Sequence, residues 1–203
     1  MLVGMGLAIW QPVELPVLLG WGEWLTAHPG MLLLLVFVMT LLFSLGLPGS
    51  AFIWLVAPFQ PLVVSTGLLV TGSVAGAAGA YHLARALGSD LPVGPRGERI
   101  RIFLASHGNM ATQCALRLLP GFPHAAINFG AGVLKLPRLP FLLAALLGLT
   151  VKWAVYTSAI HSGLGALERG EVIALTEVLP LVLLAVMLLI GVWLRSRLER
   201  HGK

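Results

Sequence analysis

Acidic side chains are almost missing from the apolar stretches of this chain; none lies between Glu23 and Asp90. Charged residues of any kind make up 10% of 203 positions, and hydrophobic ones 58%. Soluble domains carry roughly 25% charged and about 45–50% apolar residues, so this scarcity excludes an ordinary soluble enzyme. It also excludes disorder, because disordered chains are charge-rich and apolar-poor. Lys and Arg are absent before Arg85, and a basic nucleic-acid binder would not leave so much of its length without them. One cysteine, Cys114, excludes a disulfide framework and a cysteine-based metal site. What remains is an integral membrane protein.

A spanning helix needs about 20 mostly apolar residues, within a range of about 17–25. Residues 31–47, 61–84, 139–161 and 178–194 meet this requirement, so four spans are expected in an all-α polytopic fold. Residues 1–30 are apolar but interrupted by Pro12, Pro16 and Pro29, and they carry Trp10, Trp21 and Trp24. Tryptophan suits the membrane–water boundary, so this region reads as an interfacial or short helix. A signal peptide is not expected, since no positive segment leads the chain.

Two further apolar stretches are too short or too broken to cross. Residues 48–60 contain Pro48 and Pro58, and residues 114–133 contain Pro120, Gly121 and Pro123. Proline removes a backbone donor and clashes with the preceding turn. Broken backbone at membrane depth is tolerated only where protein buries it or it lines a wet cavity. Both stretches are therefore expected to be re-entrant, with turns at Pro48, Gly49 and Ser50 in the first. In the second the turn residues are Pro120, Gly121, Pro123, Gly130 and Gly132.

The basic residues orient the chain. Arg85, Arg96, Arg99 and Arg101, the pair Lys135 and Arg138, and the basic C-terminus can all lie in the cytoplasm, leaving 163–176 outside. The two broken stretches then oppose one another across the bilayer. Leu47-Pro48-Gly49 opens one and Leu119-Pro120-Gly121 the other, and each is followed by a proline pair (Pro58 and Pro61; Pro137 and Pro140) and a glycine-bearing span. This is the pattern of an inverted repeat, which in transporters surrounds a midplane site. Leu-Pro-Gly is also a common tripeptide, so coincidence is the alternative reading.

Few residues can carry chemistry. Arg117, inside the second broken stretch, can bind phosphate or carboxylate with a bidentate guanidinium; otherwise it snorkels to headgroups. Lys152 either serves a cavity or snorkels. Arg85, one turn from His82, reads chiefly as an interface anchor. Asn128 caps a turn or contacts a ligand. His124 can exchange a proton near neutral pH, or is an ordinary hydrogen-bonded histidine. Gly72, Gly76 and Gly79 form a small-residue face for helix packing, inside the monomer or against a second copy. No carboxylate in the spans can relay protons. No Asp cluster or paired-His site suggests a metal-dependent lipid enzyme, and Ser50, Ser73 and His161 do not compose an intramembrane protease. No enzyme activity, metal or cofactor is expected.

Arg117-Leu-Leu-Pro120-Gly121-Phe-Pro123, followed by Asn128-Phe-Gly130-Ala-Gly132, resembles the second block of the DedA family, also called the VTT-domain or SNARE-associated Golgi protein superfamily. Pro48-Gly49-Ser50 resembles the first block, Gly79-Ala-Tyr81 and Arg85 through Gly88 its closing segment, and Phe141 through Gly148 with Trp153 the following span. The resemblance covers about residues 40–163. It implies two opposed re-entrant helix-loops and a role in lipid movement, either a flippase or a scramblase acting on a phospholipid or polyprenyl phosphate. It also matches Arg117 to the family's basic residue. Many bacterial members have an acid where this chain has Ser50, and the resemblance ties that acid to proton coupling. Passive movement or another driving force is expected here.

The resulting expectation is a bacterial inner-membrane lipid transporter with a cytoplasmic C-terminus. Residues 1–30 lead, 31–163 form the core, and 164–203 hold the last span and basic tail. Membrane lipids are the expected partners, with no nucleic acid. An ion-coupled small-solute transporter and a non-transporting assembly partner are the alternatives.

Overall fold

The computed structural model describes residues 28–49, 51–88, 95–119 and 122–169, with isolated positions between 17 and 24 and between 179 and 190. These residues form helices α1 (Pro29–Ser44), α2 (Phe52–Val56), α3 (Leu62–Leu87), α4 (Pro95–His107), α5 (Met110–Leu118), α6 (His124–Val133) and α7 (Arg138–Arg169). Among the described residues, two helices are long and apolar enough to cross a membrane: Leu62–Leu87, and Arg138–Leu164 within α7.

The expected span 31–47 forms α1, a helix of 16 residues. At 1.5 Å per residue it is ~24 Å long, short of the ~30 Å hydrocarbon core. Its stop is local. Gly46 takes the left-handed conformation at φ 75, its N–H bonds to Phe43 O, and Leu47 N–H bonds to Leu42 O. This double closure is a Schellman motif, which a residue without Cβ adopts most easily. The expected span 178–194 and most of the N-terminal region lie outside the described residues, as do Ser50, Pro120 and Gly121.

The proline-broken stretches are short helices rather than spans. Residues 48–60 hold the five-residue α2 followed by turns. Residues 114–133 divide into α5 and α6 around an extended Leu119 with ψ 122; a residue preceding proline is pushed out of the helical region. Asn109 starts α5 by accepting the Thr112 N–H on Oδ1 at 2.9 Å, a side-chain N-cap. Gly130 and Gly132, expected at turns, lie inside α6 and are buried. The turn after α6 falls at Lys135, whose φ is 52. Leu136 N–H bonds to Ala131 O and Lys135 N–H to Gly132 O, repeating the closure seen after α1. Both closures end on a leucine that is followed at once by proline, at Leu47-Pro48 and Leu136-Pro137.

Helix α3 is the centre of the bundle and packs on α1, α6 and α7. Its glycines face α1: a Cβ at Gly72 would meet Met39, one at Gly76 would meet Phe43 and Thr40 O, and one at Gly79 would meet Ser44. The small-residue face therefore packs inside the monomer. Thr40 and Ser44 hydroxyls also donate to Gly72 O at 3.5 Å and Gly76 O at 3.4 Å, contacts that only closely packed backbones permit. Helices α3 and α7 run antiparallel, since Tyr81 meets Phe141, Ser73 meets Trp153 and Thr66 meets Thr157.

Leu35, Met39, Ile53, Val56, Leu69, Leu149 and Trp153 fill the larger core. Outside it, Leu33 and Phe37 of α1, Val63 of α3, and Leu139 and Val151 of α7 are exposed. A helix bundle that is apolar within and without suits lipid, not water. On the polar helix α4, Arg101 grips Glu98 through Nη2 at 2.6 Å and Nε at 2.8 Å. That hydrogen bond holds the Glu98 carboxyl below, and the Arg101 guanidinium above, its usual range.

Candidate functional site

The site lies where α5 and α6 meet α7. Arg117, near the end of α5, is 1% exposed and is the largest fully buried side chain among the described residues. Its Nη1 donates to Asn128 Oδ1 at 2.9 Å. Its guanidinium stands 4.9 Å from the centre of the Phe141 ring on α7, within cation–π range. Nε and Nη2 are buried and have no hydrogen-bond partner. Gly148 of α7 admits this side chain: a Cβ there would come within 2.9 Å of both Arg117 Cβ and Cys114 O.

A second cation, Lys152, projects from α7 one turn beyond Gly148. Lys152, 7% exposed, approaches His124 Nε2 through Nζ at 2.6 Å. It also lies 5.5 Å from the Trp153 ring centre and 5.6 Å from that of Tyr156. With the ammonium as donor, His124 accepts on Nε2 and carries its hydrogen on Nδ1. Nδ1 is buried without a partner.

Both cations have neutral partners, and the chain contains no Asp or Glu from residue 99 through 167. Burying one ion costs several kcal/mol after relaxation, and a single neutral hydrogen bond offsets only part of that. The chemistry left open is the binding of an anion. No group of three or more His, Cys, Asp or Glu side chains able to hold a metal occurs among the described residues.

The structure brings together Arg117, Asn128, His124 and Lys152, four of the five substrate residues expected from sequence. The fifth, Arg85, is half-buried one shell away; its Nη1 donates to Tyr81 Oη at 2.8 Å, and Tyr81 donates to Leu136 O at 2.7 Å. The Tyr81 ring packs on Phe141 with centres 4.9 Å apart, so an aromatic pair separates the two arginines. His82 is exposed, its ring edge-on to Tyr81 at 5.4 Å. Of the expected turn residues, Pro48 and Pro123 are exposed, and Gly49 is buried beneath the Phe43 and Phe52 rings.

Phe141, Tyr81 and Gly148 escape a reading based on charge, because an apolar ring and a glycine give no chemical signal. The spacing of Phe141, Gly148 and Lys152 at seven and four residues is the available clue, since it sets all three on one helix face.

An all-helical membrane protein with a buried, acid-free cation site is the class this architecture defines. The VTT domain matches residues 28–162. The chain belongs to the VTT-domain family. No curated protein and no solved structure gives a significant match.

Proposed function

We propose that this protein moves a phosphate-bearing lipid, a phospholipid or polyprenyl phosphate, between leaflets of the bacterial inner membrane. The headgroup crosses through the polar site while the acyl chains stay in the bilayer. One observation carries the reading: Arg117 is buried, bonds a neutral amide, and keeps two nitrogens free of partners. A guanidinium offers paired donors to a phosphate in fixed geometry, and family membership points the same way.

In this reading the segments around Pro48-Gly49 and Pro120-Gly121 are opposed re-entrant turns. The order of elements supports it. A short helix, Leu-Pro-Gly, a second short helix, a proline and a long helix occur twice, as α1, α2 and α3 and as α5, α6 and α7. The basic residues put the C-terminus in the cytoplasm. Passive exchange follows from the missing acid at Ser50, and the protein acts as a carrier rather than an enzyme.

The test is reconstitution of the full chain into vesicles containing a fluorescent phospholipid, followed by dithionite quenching. Quenching beyond the outer-leaflet fraction, lost in Arg117→Ala, supports the reading. Quenching confined to that fraction in wild type and variant alike overturns it.

A further inference from the structure

Lys152 sits on α7 one turn beyond Gly148, against which Arg117 packs, and His124 sits on α6 one turn before Asn128. Two cation–neutral pairs, Arg117–Asn128 between α5 and α6 and Lys152–His124 between α7 and α6, thus lie one helical turn apart, at a rise of ~6 Å along α6. An ammonium has three donors, and one of them is directed at His124 in the structure. A purely packing role would be served better by an apolar side chain, because replacing a buried charge with a hydrophobe is often neutral or stabilising. Lysine's flexible stem lets its charge change partners without backbone movement.

We propose that Lys152 is a second phosphate ligand, held on His124 while the site is empty and released to the phosphate when it enters. This rests on the lipid-transport reading. A tetrahedral phosphate offers oxygens in several directions, so one group accepts from Arg117 Nε and Nη2 and from Lys152 Nζ together. His124 is the resting partner: it keeps the ammonium hydrogen-bonded at that depth without neutralising it. A carboxylate in its place would hold the lysine and compete with the substrate. With two cations and no acid, the site favours a headgroup of net negative charge. It offers nothing to the ammonium of a zwitterionic lipid.

The same chemistry would take a lipid headgroup or free phosphate, and three measurements on the full chain in phosphatidylcholine vesicles separate them. These are dithionite quenching of labelled phosphatidylglycerol, the same for labelled phosphatidylcholine, and efflux of entrapped radiolabelled inorganic phosphate. Wild type is expected to move phosphatidylglycerol faster than phosphatidylcholine by about tenfold or more, because the choline ammonium is brought against two cations with no acid to receive it, and to release no phosphate. Lys152→Met is expected to collapse that ratio, and Lys152→Arg to restore it. Simple misfolding would lower both lipid rates together. A Lys152→Met protein that keeps the wild-type ratio overturns the second-ligand assignment and leaves the Arg117 reading standing. Wild-type vesicles that release phosphate but exchange no lipid overturn both.

Discussion

Arg117 and Asn128 are eleven residues apart, on two helices separated by a proline-rich break, and meet through a 2.9 Å hydrogen bond from Nη1 to Oδ1. The amide orients the guanidinium without cancelling its charge, so the site stays cationic. Asn128→Asp separates those two effects. The carboxylate would pair with Arg117, so thermal unfolding in detergent is expected at or above the wild-type temperature. Lipid exchange is expected to fall by about tenfold or more, because a charged acceptor holds the donors the substrate needs. A fully active Asn128→Asp protein would mean that Arg117 does not need a neutral partner.

Phe141 supports the guanidinium from below, with Arg117 Cζ 4.9 Å from its ring centre. Phe141→Leu keeps much of the apolar volume but removes the ring. A cation–π contact is worth about 0.5–2 kcal/mol, so exchange is expected to slow by roughly two- to thirtyfold. Initial rates at matched protein density check this.

Tyr81 joins three helices: it accepts from Arg85 on its own α3, donates to Leu136 O after α6, and packs tilted against Phe141 of α7. Tyr81→Phe keeps the ring but leaves both polar partners unmatched. A loss of about 1–3 kcal/mol of stability is expected, read as an earlier unfolding transition.

Gly76 and Gly67 test the packing of α3 on α1. A Cβ at Gly76 would meet Phe43 and the Thr40 carbonyl, whereas one at Gly67 meets nothing within 4 Å. Gly76→Val is expected to destabilise by about 1–3 kcal/mol or more through overpacking. Gly67→Ala is expected to be neutral or stabilising by up to about 1 kcal/mol, since alanine is the better helix former. Equal unfolding temperatures for the two variants would contradict the packing described here.

Much of this was legible in the sequence because it depends on local composition. The runs 61–84 and 139–161 read as spanning helices, and α3 and α7 occupy them. Pro120, Gly121 and Pro123 announced the break between α5 and α6. Arg117, Asn128, His124 and Lys152 stood out as polar groups in apolar surroundings. What stayed hidden depends on tertiary geometry. The early end of α1 is set by Gly46 in the left-handed conformation, which hydropathy does not register. Gly130 and Gly132 looked like turn residues, yet packing keeps them helical, and Lys135 takes the turn. The pairing of Lys152 with His124, 28 residues away, needs α6 and α7 both packed on α3, so that the two side chains meet.

The most direct test of the central claim is dithionite quenching of a labelled phospholipid in vesicles holding equal amounts of wild type or Arg117→Ala. Arg117 is the buried cation with unpartnered donors on which the account depends. Quenching is predicted to run past the outer-leaflet fraction toward completion with wild type, and to stop at that fraction with Arg117→Ala. Complete quenching with a correctly folded Arg117→Ala protein would contradict the account.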